Sequence, residues 1–84
     1  MRVEILTPET IVFTEENASL VQLPGIDGYF EVLDNHAAMI TVLGKGNAKI
    51  VDTNNETHHF SIEGGVVEVL TNKVLVLAEK CTKK

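Results

Sequence analysis

Cysteine is nearly absent from this 84-residue chain: Cys81 stands alone, so no intramolecular disulfide can form. No secretory signal precedes the first apolar segment, and a reducing cytosol is the expected compartment. The sequons Asn17-Ala18-Ser19 and Asn55-Glu56-Thr57 therefore carry no expectation of glycosylation. No apolar run approaches the ~20 residues that cross a bilayer, so any membrane association is expected to run through a protein partner. Basic residues are also scarce, with 7 Lys and Arg against 12 Asp and Glu, and a nucleic-acid footprint is excluded. A 3.6-residue apolar period is missing throughout, as is any internal repeat.

Catalytic signatures are equally thin. Gly44-Lys45-Gly46 lacks the frame of a phosphate-binding loop and the helix that should follow it. No CxxC or HExxH occurs, and His58 and His59, as strand neighbours, point to opposite faces and cannot share an ion. His36 with one of them would supply only two ligands. Cys81 lies among the terminal lysines, far in sequence from any histidine base, and reads as a free thiol. The expectation is a non-enzyme with no cofactor and no metal.

What the chain has in quantity is β-branched side chains: 11 Val, 6 Ile and 8 Thr. These suit pleated, half-buried surfaces. Turn signals recur every eight to twelve residues, among them Thr7-Pro8-Glu9, Pro24 to Gly28, Asp34-Asn35, Asp52 to Asn55, Gly64-Gly65 and Thr71-Asn72. Short strands at that spacing predict an all-β sandwich or barrel of one domain, with a modest core. Several segments alternate: Phe60 and Ile62 share a face with His58, and Ala48 and Ile50 oppose Lys49. Val66 to Leu70 and Val74 to Ala78 are apolar on both faces instead. Such strands are covered twice, either by the domain's own core edge or by a docked partner. Charge is lopsided as well. Residues 1–34 carry seven acids against Arg2, while three lysines crowd the last five positions. Solubility accounts for the acidic half, and a basic partner is the alternative.

Two stretches form a longer pattern. Asp27-Gly28-Tyr29-Phe30-Glu31-Val32-Leu33-Asp34-Asn35-His36-Ala37-Ala38-Met39-Ile40-Thr41-Val42-Leu43, followed by Gly46, resembles the central run of ATP synthase epsilon subunits. Gly64-Gly65-Val66-Val67-Glu68-Val69, with Asn72, Val74, Val76, Leu77 and Ala78, is similar to the end of that family's β domain, and Val3 to Glu9 to its first strand and turn. Glu31 stands where relatives usually have Gly, and Ala38 where they have Pro.

The resemblance implies a flattened ten-stranded sandwich over residues 1–79, with 80–84 as a lysine-rich tail. It implies a non-catalytic subunit on the central stalk of a proton-translocating rotary motor, on the cytoplasmic face of a bacterial inner membrane. By residue matching, Thr7, Pro8, Asn35, His36 and Ala37, with Val67 and Val69 from the apolar strand, are expected against the gamma subunit. Ile26, Asp27, Gly28, Tyr29 and Glu31 are expected against the ring of c subunits. Relatives continue into two antiparallel helices that this chain lacks, so neither nucleotide binding nor inhibition of hydrolysis is expected of it. A biotinyl- or lipoyl-type carrier is the rival all-β class. It needs a lysine at a hairpin tip, and the surroundings of Lys45 and Lys73 match neither carrier pattern.

Overall fold

The computed structural model describes residues 1–84 as seven strands and no helix. They are β1 (Arg2–Leu6), β2 (Ile11–Glu15), β3 (Ala18–Gly25), β4 (Gly28–Leu33), β5 (Met39–Asp52), β6 (Thr57–Leu70) and β7 (Lys73–Lys83). All lie in one sheet of order β2-β1-β7-β6-β5-β3-β4. Only the β1–β7 pair is parallel. The turns use the residues that tolerate positive φ: Asn35 at 61°, Asn55 at 60° and Asn72 at 57°.

A single sheet makes a sandwich here because its three longest strands change face partway along. In β6, Phe60 and Ile62 point inward, and beyond Gly64-Gly65 the inward residues are Val67 and Val69. In β5 the switch falls between Leu43 and Ala48, and in β7 between Ala78 and Cys81. Side chains alternate with period two, so a shift from even to odd positions exchanges the buried face for the exposed one. The ladders break along the same line. Pairing of β5 with β6 passes from Leu43–Gly65 to Lys45–Glu63, and that of β6 with β7 from Gly65–Ala78 to Glu63–Lys80. Gly64 (φ 72°) and Gly65 (φ 137°) occupy backbone that L side chains rarely adopt, which lets the strand turn this corner.

Folding along that line brings both halves of the sheet onto one core of 17 residues. Val3, Ile5, Val67, Val69, Val74 and Val76 meet Val21, Leu23, Ile50, Phe60 and Ile62 there. The all-β sandwich stands as expected, but its strands number seven rather than ten. β5, β6 and β7 run unbroken through the corner and each serve both layers. The stretch expected to trail as a tail is also part of the sheet, since Lys80 to Lys83 pair with Glu63 to Phe60.

Candidate functional site

The strand registers build an apolar surface on the outer face of the layer formed by β2, β1 and the stretches 39–43 of β5, 66–70 of β6 and 73–78 of β7. Val42 pairs with Val66, Val66 with Leu77, Leu77 with Leu6 and Leu6 with Ile11. These residues form one row across five strands, about 20 Å at the usual strand spacing. Ile26 extends it, because its amide donates to the Val42 carbonyl at 3.0 Å. Leu77 is 47% exposed and Ile11 65%. A second row runs Ile40–Glu68–Leu75–Glu4, with Ile40 70% exposed, and Leu70 lies exposed beyond it. An apolar stripe spanning a whole layer is the kind of patch that a partner covers.

Each anticipated contact has a definite place relative to this face. Thr7 and Pro8 form the β1–β2 turn, closed by the Thr7 amide donating to the Thr10 carbonyl at 2.9 Å. With Leu6 and Leu77 they border a shallow hollow at one end of the rows. Asn35, His36 and Ala37 lie toward the opposite end. The Asn35 amide donates to Asn72 Oδ1 at 2.8 Å, and Ala38 to Ile40 line a second hollow with Glu68, Val69 and Leu70. His36 Nδ1–H donates to the neighbouring Ala37 carbonyl at 2.7 Å.

Val67 and Val69 require a correction. They are 0% and 2% exposed and face the core, so a partner on the surface cannot reach them. The outward residues of these strands are Val66, Leu70, Leu75 and Leu77. Sequence parity could not decide this, because the Gly64-Gly65 corner resets the alternation just before Val66.

The second anticipated site is the β3–β4 hairpin. Ile26, Asp27, Gly28, Tyr29 and Glu31 are all exposed. Tyr29 is fixed on its hydroxyl side: the Asn47 amide donates to its Oη at 2.9 Å. Ile26 belongs both to this hairpin and to the apolar row, so the two sites that sequence kept apart adjoin in space.

One polar cluster was not anticipated. Glu15, Asp52 and His58 bring single donor atoms within 4.8 Å of one another, the geometry of an incomplete metal site. Their donors already have other work. Asp52 Oδ1 accepts from the Asn54 and Glu56 amides at 2.9 and 3.0 Å, and Oδ2 lies 3.1 Å from His58 Nε2. A Glu15 carboxylate oxygen accepts from the Asn17 amide at 3.0 Å. Asp52 is the one buried charged residue, and its bonds hold the Asp52–Glu56 turn. The cluster acts as a turn clamp. Cys81 is half-buried, and loss of hydration pushes its thiol above the usual value, away from reactivity. Lys45 sits inside β5 rather than at a tip, and Lys73 Nζ is held by Glu4 at 3.0 Å, so neither offers a carrier lysine.

Fold and surface together describe a small all-β sandwich domain with an apolar row exposed on one outer face. Residues 1–84 match the family described as ATP synthase, Delta/Epsilon chain, beta-sandwich domain, and the chain belongs to it. It is 40% identical over 80 residues to an ATP synthase epsilon chain of Maridesulfovibrio salexigens, covering 95% of this chain and 55% of that one. It is 33% identical over 78 residues to an epsilon chain of Chlorobium limicola, covering 93% and 88% respectively. Against the Protochlamydia amoebophila epsilon chain it is 41% identical over 75 residues, 89% of this chain and 50% of that one. The chain thus spans about half the length of two of these three relatives. Among solved structures, a chain of the Euglena gracilis mitochondrial ATP synthase superposes with a TM-score of 0.90 at 16% identity, covering 96% of this chain and 51% of that one. A chain from the central stalk and c ring of the Tetrahymena thermophila enzyme does so with a TM-score of 0.81 at 21% identity, covering 98% and 65%. At such identities the superpositions speak for the fold alone.

Proposed function

We propose that this domain is a non-catalytic central-stalk element of an F-type ATP synthase, coupling rotation of the c ring to the gamma subunit. The observation that carries the proposal is the apolar row from Ile26 through Val42, Val66, Leu77 and Leu6 to Ile11, which has no cover of its own. Gamma covers this face, with the Thr7-Pro8 turn and the Asn35-His36-Ala37 segment at its two ends. The β3–β4 hairpin meets the polar loops of the c ring through Tyr29 and Asp27. A close-packed sandwich is a stiff body, and stiffness is what torque transmission needs. The domain belongs to a membrane-bound complex and reaches the membrane only through these partners, on its cytoplasmic face.

Binding of the isolated domain to the gamma subunit of the same synthase tests the first contact. Leu77→Asp places an unpaired charge in the middle of the row and should lower the affinity by roughly 30-fold or more. Unchanged affinity in a folded variant would remove the face from the interface. For the second contact, cysteines at positions 27 and 29 should cross-link to c-subunit loops. Asp27→Ala alone should have a mild effect, since an exposed pair contributes only ~0.2–1 kcal/mol.

A further inference from the structure

The outer face carries two carboxylates in one row, and they differ in their surroundings. Glu4 is largely covered, and it is neutralised from both sides, by Lys73 Nζ at 3.0 Å and Arg2 Nε at 3.5 Å. Glu68, two strands away, is exposed and has neither an ion pair nor a side-chain hydrogen bond. Its cross-strand neighbours are Ile40 on one side and Leu75 on the other. It also borders two shallow hollows, one with Met39, Ile40 and Leu70, the other with Leu70, Thr71 and Leu75. Lys73 reaches the second hollow, but its ammonium is committed to Glu4. Any partner that covers Ile40, Leu70 and Leu75 therefore strips water from Glu68 as well. A carboxylate desolvated without a counter-charge costs more than the surrounding apolar contacts return.

We infer that the partner surface covering this face presents a basic side chain, arginine or lysine, opposite Glu68, seated between apolar groups that fill the two flanking hollows. This rests on the docking of gamma against the outer face. Glu68 then acts as a register pin. Apolar rows tolerate sliding, whereas a single buried charge pair fixes one alignment of the two surfaces.

The sign of one substitution separates this from a purely apolar contact. Glu68→Gln removes the charge at an exposed position, so the domain should remain folded, which circular dichroism and thermal melting verify. Against the gamma subunit, a facing cation predicts roughly 10–100-fold weaker binding of Glu68→Gln. It also predicts weaker salt dependence than the parent shows. A purely apolar partner predicts equal or tighter binding, because the cost of stripping water from the carboxylate disappears. Lys73→Met tests the local alternative, in which Lys73 swings over to Glu68 on docking. Loss caused by Glu68→Gln should persist in the Lys73→Met background, and its disappearance there would assign the cation to Lys73 and overturn the inference. Leu77→Asp keeps the two readings distinguishable. If it leaves binding intact, gamma does not dock on this face, and the inference falls with that reading. If Leu77→Asp abolishes binding while Glu68→Gln binds as well as the parent or better, gamma docks here without the cation.

Discussion

Tyr29 Oη accepts a hydrogen bond from the Asn47 amide at 2.9 Å, which lays the ring of the β3–β4 hairpin across β5. Gly46 makes this possible. A Cβ on residue 46 would lie 2.5 Å from Tyr29 Oη and 2.7 Å from Pro24 Cβ, so ring or strand would have to move. Gly46→Ala should cost about 1–3 kcal/mol through overpacking and displace the ring. Tyr29 is the only tyrosine and the chain has no tryptophan, so its fluorescence reports the displacement directly. An alanine variant with unaltered tyrosine emission and stability would contradict this placement of the ring.

Asp52 links stability to pH. Its carboxyl is held below the usual carboxylate range, first by the His58 hydrogen bond and then by the Glu56 and Asn54 amides. A carboxyl whose native value is depressed contributes stability that is fully present above the ordinary value near 3.9 and disappears as pH falls through the native value. Glu4, beside Lys73, and Asp34, beside the terminal ammonium, act in the same direction. Melting temperature should therefore fall steeply below about pH 4. Asp52→Asn should be less stable at neutral pH and lose its stability less steeply in acid. Parallel pH profiles for variant and parent would show that the clamp contributes nothing.

How much of this was legible in the residues depended on range. The all-β class followed from β-branched content and turn spacing, because each turn carries its own chemistry within four or five residues. The turn from Pro24 to Gly28 followed for the same reason, whereas Tyr29 and Glu31 were joined to it as a contact site only through the family resemblance. Which side of Val66 to Leu70 faces outward was not legible, since the face is set by a glycine corner whose effect depends on three strands bending together. The contrast between Glu68 and Glu4 was also hidden: both are acids in apolar surroundings, and only the β1–β7 register brings Lys73 to one of them. The Asp52–His58 clamp needed β5 and β6 paired before its two ends could meet.

That parity makes neighbouring valines behave in opposite ways. Val67 is fully buried and Val66 lies on the outer row. Val67→Ala should cost about 2 kcal/mol, lowering the melting temperature of a domain this size by roughly 8–16 °C, with little direct effect on gamma binding once folded. Val66→Asp should leave the fold intact and weaken gamma binding. Thermal melts paired with binding measurements decide it. If Val66→Asp unfolds the domain while Val67→Ala leaves stability unchanged, the assignment of faces is reversed.

The corner itself is testable at two adjacent glycines with different constraints. Gly64 has φ of 72°, in the left-handed region, and the nearest atoms to a Cβ there would be those of the Glu79 carboxylate at 3.1 Å, the mobile end of a flexible side chain. Gly64→Ala should therefore cost about 1–2 kcal/mol, the ordinary price of left-handed backbone for an L residue. Gly65, at φ 137°, is constrained twice over. Its backbone region is essentially closed to other residues, and a Cβ would drive into the Leu77 carbonyl and lie 2.9 Å from Ala78 Cα. Backbone cannot swing aside as a carboxylate can, so Gly65→Ala should cost about 3 kcal/mol or more and leave a large unfolded fraction at 37 °C. The effect reaches the outer face, because the corner sets which side of Val66 to Leu70 points outward. A Gly64→Ala domain should melt lower yet bind gamma with parental affinity, because once folded its corner still turns Val66 and Leu70 outward. If Gly65→Ala proves as stable as Gly64→Ala, the switch of faces in β6 does not depend on this glycine and the account of the corner is wrong.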